Sequence, residues 1–281
     1  MGDEKHLNWT THGGVTKATI TTSNLGEAFE YLGQRPIFMD RWFVTSDDPE
    51  QTKRQFGHIL VNHRPALEIL FNECRAAHKR GDDAVSSSSI IAVDLGNQDE
   101  VPDLTKTIQM KRQLRDYSSC LTMAEVYAGS LLLHLDEIVQ SLVIELTHHT
   151  RWIGLGELFY GIPLSDALKA CGNFVRHKTL WTLQMSRRGT VDELPVKSLW
   201  RLGALLTEHP ERDHVELSRE VFRYDEHMRR CVFIFAGAYQ DWSASYQQLE
   251  DRMIKLGSDI VDAKWTERLP WGNSNVLATS K

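Results

Sequence analysis

The stretch LLLHLDEIVQSLVIELTHHT, residues 131–150, decides the fold class of this chain. Its aliphatic residues recur at steps of three and four, which places them on one face of an α-helix. We expect that face to be buried against other helices, within a helix that covers roughly residues 107–150. The positions on the face are Leu131, Leu135, Ile138, Leu142 and Leu146.

Another helical pattern precedes this stretch. Apolar residues repeat at helical spacing from Phe56 to Ala77, and Pro65 is expected to kink this helix or to mark its start. We expect KRGDD, residues 79–83, to end the helix, and residues 84–104, with their Ser tract, to form a long loop with one short strand. The loop sets the predicted boundary between an N-terminal segment, 1–106, and a C-terminal domain, 107–281.

Two more helical regions follow the opening stretch. Gly161 and Pro163 mark the start of a predicted helix over 163–185, and a shorter one covers LPVKSLWRLGALL, residues 194–206. Gly172 lies inside the first of these, where a glycine costs about 1 kcal/mol relative to alanine. It therefore indicates a close helix crossing, a local break or a ligand near the backbone.

The last part of the chain carries a long apolar and aromatic seam. From Val221 to Leu256 its members alternate at steps of three and four, which predicts one long helix within residues 212–257. Tyr239, Trp242 and Tyr246 supply more aromatic surface than one neighbouring helix should cover, so we expect this helix to mediate self-association, most simply as a homodimer.

Together these patterns predict a mainly all-α protein, a helical bundle with a short mixed α/β N-terminal segment. In that segment, VTKATITT, residues 15–22, and PIFMDRWFVT, residues 36–45, are candidate strands.

Composition limits the classes of function. A net charge of −6 argues against a generally basic nucleic-acid coat, so any polyanion site must be local. The four cysteines are far apart, without a CxxC pair, which favours reduced core thiols. We find no signal peptide and no membrane-spanning run, and we expect a cytoplasmic location. Nucleotide-binding, dinucleotide-binding, nucleophile-elbow and zincin motifs are absent from the sequence.

The candidate site lies in CGNFVRHKTLW, residues 171–181, within a segment that has no acidic residue from Ala167 to Val191. Asn173, Arg176 and His177 stand at i, i+3 and i+4, so one helix face can carry all three. Cations and a ring at this spacing suit RNA, because cations meet phosphates and rings stack on bases. The alternative is the ordinary solvated side of an amphipathic helix. The remaining candidate RNA contacts are Lys169, Lys178, Trp181, Arg187 and Arg188.

A polar stripe also runs along the helix of the opening stretch. If that helix and the next one pack antiparallel, the stripe can border the Asn173 and His177 face and form a polar cleft; otherwise it faces solvent. Its members are His134, Glu137, Ser141, Glu145 and His148.

The segment from about Met123 to Trp181, a long apolar helix, a linker and a helix carrying GNFVRH, resembles the HEPN superfamily of small helical bundles. Many HEPN proteins are metal-independent ribonucleases or toxin components that act as dimers. The resemblance implies that Asn173 and His177 occupy the family's polar and His positions. Gly172 stands where the family has Arg, so Arg176 would have to act in its place, and Gly172→Arg is the matching gain-of-activity test.

If the chain cleaves RNA, His177 is the general base for a ribose 2′-hydroxyl, Arg176 stabilises charge on the phosphate and Asn173 orients His177 or the substrate. A degenerate relative would bind RNA without cleaving it. We expect no metal and no other cofactor.

Two rival functions remain open at this point. One is a non-catalytic homodimeric module that binds a protein partner. The other is a carboxylate-bridged metal protein, for which the matches to E-x-x-H are Glu145 with His148 and Glu211 with His214.

Overall fold

The computed structural model describes residues 10–12, 15–17, 48–96, 104–147, 152–188, 193–224, 226–237 and 244–266. The chain divides into two compact units, Met1–Trp42 and Phe43–Lys281. In the first unit, β1 (Thr10–His12) pairs antiparallel with β2 (Val15–Lys17). The strand β2 lies within the first candidate strand, and the second candidate, 36–45, lies outside the described residues.

The second unit is mainly α-helical, as the sequence predicts. Among its described residues, only β3 (Leu158–Phe159) and β4 (Ile162–Pro163) form strands, paired antiparallel. The helices are α1 (Pro49–Gly96), α2 (Leu104–Thr147), α3 (Leu164–Arg188), α4 (Glu193–Thr207), α5 (His214–Glu220), α6 (His227–Ala236) and α7 (Tyr246–Trp265). None of the helices in the described residues is long and apolar enough to cross a membrane.

The helix α1 is longer than expected, and the prediction that residues 79–83 end it is wrong. It runs on through the Ser tract to Gly96, with Pro65 in its interior. Gly81 does not act as a stop: a Cβ there would lie 3.0 Å from Leu121 of α2. The glycine lets α1 and α2 pack closely, and this contact keeps α1 helical across a sequence whose local pattern predicts the end of a helix. The helix α1 therefore lies in the same compact unit as the later helices, although we expected it in the N-terminal segment 1–106.

The helices α2 and α3 closely match the helices that the sequence patterns predict. The helix α2 packs against α1, α3 and α6, and its predicted apolar face is buried. The helix α3 runs antiparallel to α2, because Lys169 contacts Gln140 while Val175 lies beside Gly129, nearer the start of α2. Burial of a Leu or Ile side chain stabilises the fold by about 1.5–3 kcal/mol, so the five-residue face is a major part of the core.

A short turn sets the start of α3. Tyr160 and Gly161 both have positive φ, 47° and 78°, as two-residue hairpin turns require. Gly161 is therefore the turn residue ahead of α3, which begins at Leu164. Inside α3, Asp166 accepts a hydrogen bond from the Gly154 N–H at 3.0 Å, which ties the linker to the helix.

The predicted long C-terminal helix is wrong, because the seam is divided among shorter elements. After a 3₁₀ turn at Val221–Arg223, α6 ends at Gly237, whose φ of +82° is a left-handed helix cap. The next helix, α7, starts afresh at Ser245, which forms a capping box with Gln248.

The structure describes only one of the three aromatic residues on which the expected self-association rests. Tyr246 is 5% exposed, so it packs inside the protein and offers no surface to a second copy. Tyr239 and Trp242 lie outside the described residues. Self-association itself stays a prediction.

Candidate functional site at the crossing of α2 and α3

The centre of the site is a close contact between a carboxylate of α2 and the backbone of α3. Asp136 is 1% exposed. A Cβ on Gly172 would lie 2.1 Å from its Oδ2 and 2.7 Å from its Cγ. Of the three explanations that the sequence left open for Gly172, the structure supports a close helix crossing. An arginine at this position has no room for its Cβ, so Gly172→Arg cannot serve as a clean gain-of-activity test.

Arg176 compensates the buried carboxylate. Its Nη1 donates to Asp136 Oδ2 at 2.9 Å, and its Nη2 lies 3.6 Å from Glu137 Oε1. Burial raises the pKa of Asp136 to about 6, and Arg176 and Lys169 oppose the rise. Burial likewise raises the pKa of Glu137, again opposed by Arg176. The Arg176 side chain is 34% exposed, and its guanidinium is held by two carboxylates before any ligand arrives.

Asn173 takes part in a different contact. Its Nδ2 donates to Ser198 Oγ on α4 at 3.0 Å. Arg176, in contrast, is bonded to α2. The spacing of i and i+3 places both residues on α3 as expected, yet the structure ties their polar groups to different helices.

Lys169 lies at the other end of the α2–α3 contact. Its Nζ is 3.4 Å from Gln140 Oε1 and lies over the Trp152 ring at 5.3 Å. Burial lowers its pKa, and Asp136 and Asp166 oppose this. The same ring carries the Arg201 guanidinium at 4.3 Å. Lys169 is therefore engaged in packing the linker against α3.

His177 and Lys178 are the exposed members of the predicted set. Residues 176–180 are all exposed, although α3 contributes a side chain to the core again at Trp181. The His177 ring lies 5.6 Å from the ring of Trp181, and Lys178 lies over Phe174 at 5.9 Å. Trp181 itself is 5% exposed, so its ring packs in the core and is not presented for stacking on a base.

Arg187 and Arg188 form the end of α3. Their side chains lie outside the part of the chain whose side chains the structure describes. Their backbone places them beyond His177, toward the first half of α2.

The polar stripe of α2 is divided between two neighbours. His134 Nε2 lies 3.0 Å from His63 Nδ1 of α1, and burial lowers the pKa of His134 to about 4. Glu137 faces Arg176 of α3, so α2 and α3 do pack antiparallel with part of the stripe at their contact. Ser141 donates to the Glu137 carbonyl of its own helix.

The described members of the candidate metal site are not brought together. Glu145 is half-buried, and His148 lies outside the described residues. Glu211 and His214 are exposed, and the His214 ring stacks 4.2 Å from Trp200. Within the described residues, no group of three or more His, Cys, Asp or Glu side chains can hold a metal ion.

Sequence reasoning missed Asp136. An acidic residue inside LLLHLDEIVQSL is a usable signal, because a buried carboxylate needs a partner and Arg176 lies on the next predicted helix. The pairing was hidden because Asp136 belongs neither to the apolar face of α2 nor to its polar stripe.

Compared with models of protein families, with curated proteins and with solved structures, the chain matches none of them.

Proposed function

We propose that this protein binds RNA through the exposed part of α3 and does not cleave it, as a degenerate relative of the HEPN ribonucleases would. The observation that carries the proposal is the exposure of His177 and Lys178 on a stretch without acidic residues, in a chain whose net charge is −6. A local basic surface on an acidic protein attracts a polyanion without coating the whole molecule. The proposal includes a cytoplasmic location and a bundle arrangement of the helices.

The contacts of the other two candidate catalytic residues favour binding over cleavage. Arg176 already neutralises Asp136 and approaches Glu137, so little of its charge is left to stabilise a phosphorane. Asn173 donates to Ser198 and does not orient His177. A lone imidazole at an exposed helix surface is a weak catalyst, because general base catalysis depends on precise positioning.

The test combines binding and cleavage on one RNA. Fluorescence anisotropy with a labelled single-stranded RNA should give saturable binding that is weakened by Lys178→Ala and His177→Ala. The matched control is Lys255→Ala, which removes an exposed lysine from α7. A denaturing gel of the same samples with a chelator should show intact RNA.

Two results would contradict the proposal. Absence of binding by the wild type would remove the RNA function altogether. Cleavage to 2′,3′-cyclic phosphate ends that disappears in His177→Ala would replace binding by metal-independent catalysis.

A further inference from the structure

The contact between α2 and α3 follows one face of each helix and then stops. On α2 the contacting positions are Gly129, Asp136 and Gln140, which lie on one face. Continued toward the start of α2 at steps of three and four, that face first passes Glu125 and Val126, which are half-buried, and Glu125 accepts hydrogen bonds from the backbone of α6. Beyond them the positions on the face are all exposed: Thr122, Ser118, Arg115, Lys111 and Ile108. The face that packs on α3 is therefore uncovered over the first half of α2.

The matching face of α3 is uncovered as well. Continued from Arg176 at steps of four and three, it carries Leu180 and Leu183, which are 54% and 47% exposed. We call the exposed α2 positions from Ile108 to Thr122, together with Leu180 and Leu183, the distal surface.

The distal surface is basic. Of the four cations between Leu104 and Met123, the distal surface carries Lys111 and Arg115, and none of its positions is acidic. The one acidic residue of that stretch, Asp116, is exposed next to Arg115. Among the described residues, no carboxylate pairs with Lys111 or Arg115, and both side chains are exposed. The end of α3 at Arg187 and Arg188 points to the same end of the molecule, because α3 runs antiparallel to α2.

We propose that the distal surface binds single-stranded RNA as a continuation of the α3 contact, and this inference rests on the proposed function. The anionic strand complements the charge of Lys111 and Arg115. The exposed apolar side chains Ile108, Leu180 and Leu183 of the same surface suit the faces of unpaired bases. A duplex hides its base faces and leaves those side chains without a partner.

The length of the surface fits a short strand. His177 lies level with the part of α2 near Gly129, because Val175 packs against that glycine. From there to Lys111 the helical rise gives a path of about 25 Å, enough for a single strand of about four nucleotides or more.

The test compares variants of the full chain on a single-stranded RNA of about 12 nucleotides and on the duplex of the same length. Lys111→Ala/Arg115→Ala should weaken binding of the single strand about tenfold and reduce the salt dependence of its affinity by about 1.4, since each lost phosphate contact contributes about 0.7. Leu183→Ser should weaken binding of the single strand more than binding of the duplex. The control Arg219→Ala/Lys255→Ala removes two exposed cations from α5 and α7 and should bind as the wild type does.

The outcomes separate this inference from the function on which it rests. If the wild type binds and Lys178→Ala weakens binding, but Lys111→Ala/Arg115→Ala binds normally, the distal surface is not part of the site and the function stands. Equal affinity for single strand and duplex would refute the preference for unpaired RNA. A wild type that binds neither RNA overturns both proposals. Circular dichroism of each variant confirms that the helices are intact.

Discussion

The substitution Gly172→Ala should destabilise the protein, although alanine normally improves a helix. Helix propensity favours alanine by about 1 kcal/mol at an interior position. Against this, the new Cβ would lie 2.1 Å from Asp136 Oδ2, 2.7 Å from Cγ and 2.9 Å from Cβ. A clash that reaches the Cβ is not relieved by rotating the end of a side chain, so the helices must move apart or Asp136 must leave Arg176.

Overpacking of this kind costs about 1–3 kcal/mol, and disruption of a buried ion pair costs up to about 3–5 kcal/mol. After the gain of about 1 kcal/mol in helix propensity, the net loss of unfolding free energy should be up to about 2 kcal/mol if the helices move apart and about 2–4 kcal/mol if the ion pair breaks. Each kcal/mol lowers the Tm by about 2–4 °C for a unit of this size. Urea and thermal unfolding followed by circular dichroism measure both quantities.

A matched control lies on the same interface. A Cβ on Gly129 would meet Val175 Cγ2 at an ordinary 3.5 Å, so Gly129→Ala should be neutral or stabilising by up to about 1 kcal/mol. If Gly172→Ala is as stable as Gly129→Ala, the explanation that the close approach of Asp136 requires a glycine at position 172 is wrong.

Three further predictions concern single groups. The pKa of Asp136 is raised from 3.8 to about 6, so the native state retains a proton that the unfolded chain releases. The stabilising contribution of this proton should be present below about pH 4 and be lost as pH rises through about 6. In urea titrations, the free energy of unfolding of Asp136→Asn should therefore fall less across that range than that of the wild type. Ser245→Ala removes the capping box of α7 and should cost about 1 kcal/mol of unfolding free energy, whereas Gln247→Ala, at an exposed position of the same turn, should cost less. His177→Ala should change the unfolding free energy by less than about 0.5 kcal/mol because the residue is exposed; a larger loss in chemical unfolding would mean that His177 is structural.

Sequence patterns predict those helices whose own residues form one continuous buried face. The stripe from Leu131 to Leu146 and the start of α3 after Gly161 are local signals, and both are confirmed. The seam from Val221 to Leu256 led to the wrong prediction of one long helix, because α6 and α7 each keep their apolar residues at helical spacing on either side of a break. Gly237 and the Ser245–Gln248 capping box were the readable signs of that break.

Other features depend on contacts distant in sequence. Gly81 ends no helix because Leu121, forty residues further on, packs against it. In the candidate site, the spacing of Asn173, Arg176 and His177 predicts that they share a helix. It does not predict their partners, because Ser198 and Asp136 belong to other helices. Whether a polar side chain is free for a ligand is decided by such partners, and periodicity does not reveal them.

The measurement that tests the central claim most directly is ultraviolet cross-linking of the wild-type protein to single-stranded RNA, followed by identification of the linked peptides. We predict cross-links in α3 from residue 176 to its end and in the first half of α2, residues 105–122. Cross-links confined to α5 or α7, or none at RNA concentrations that saturate binding, would contradict it.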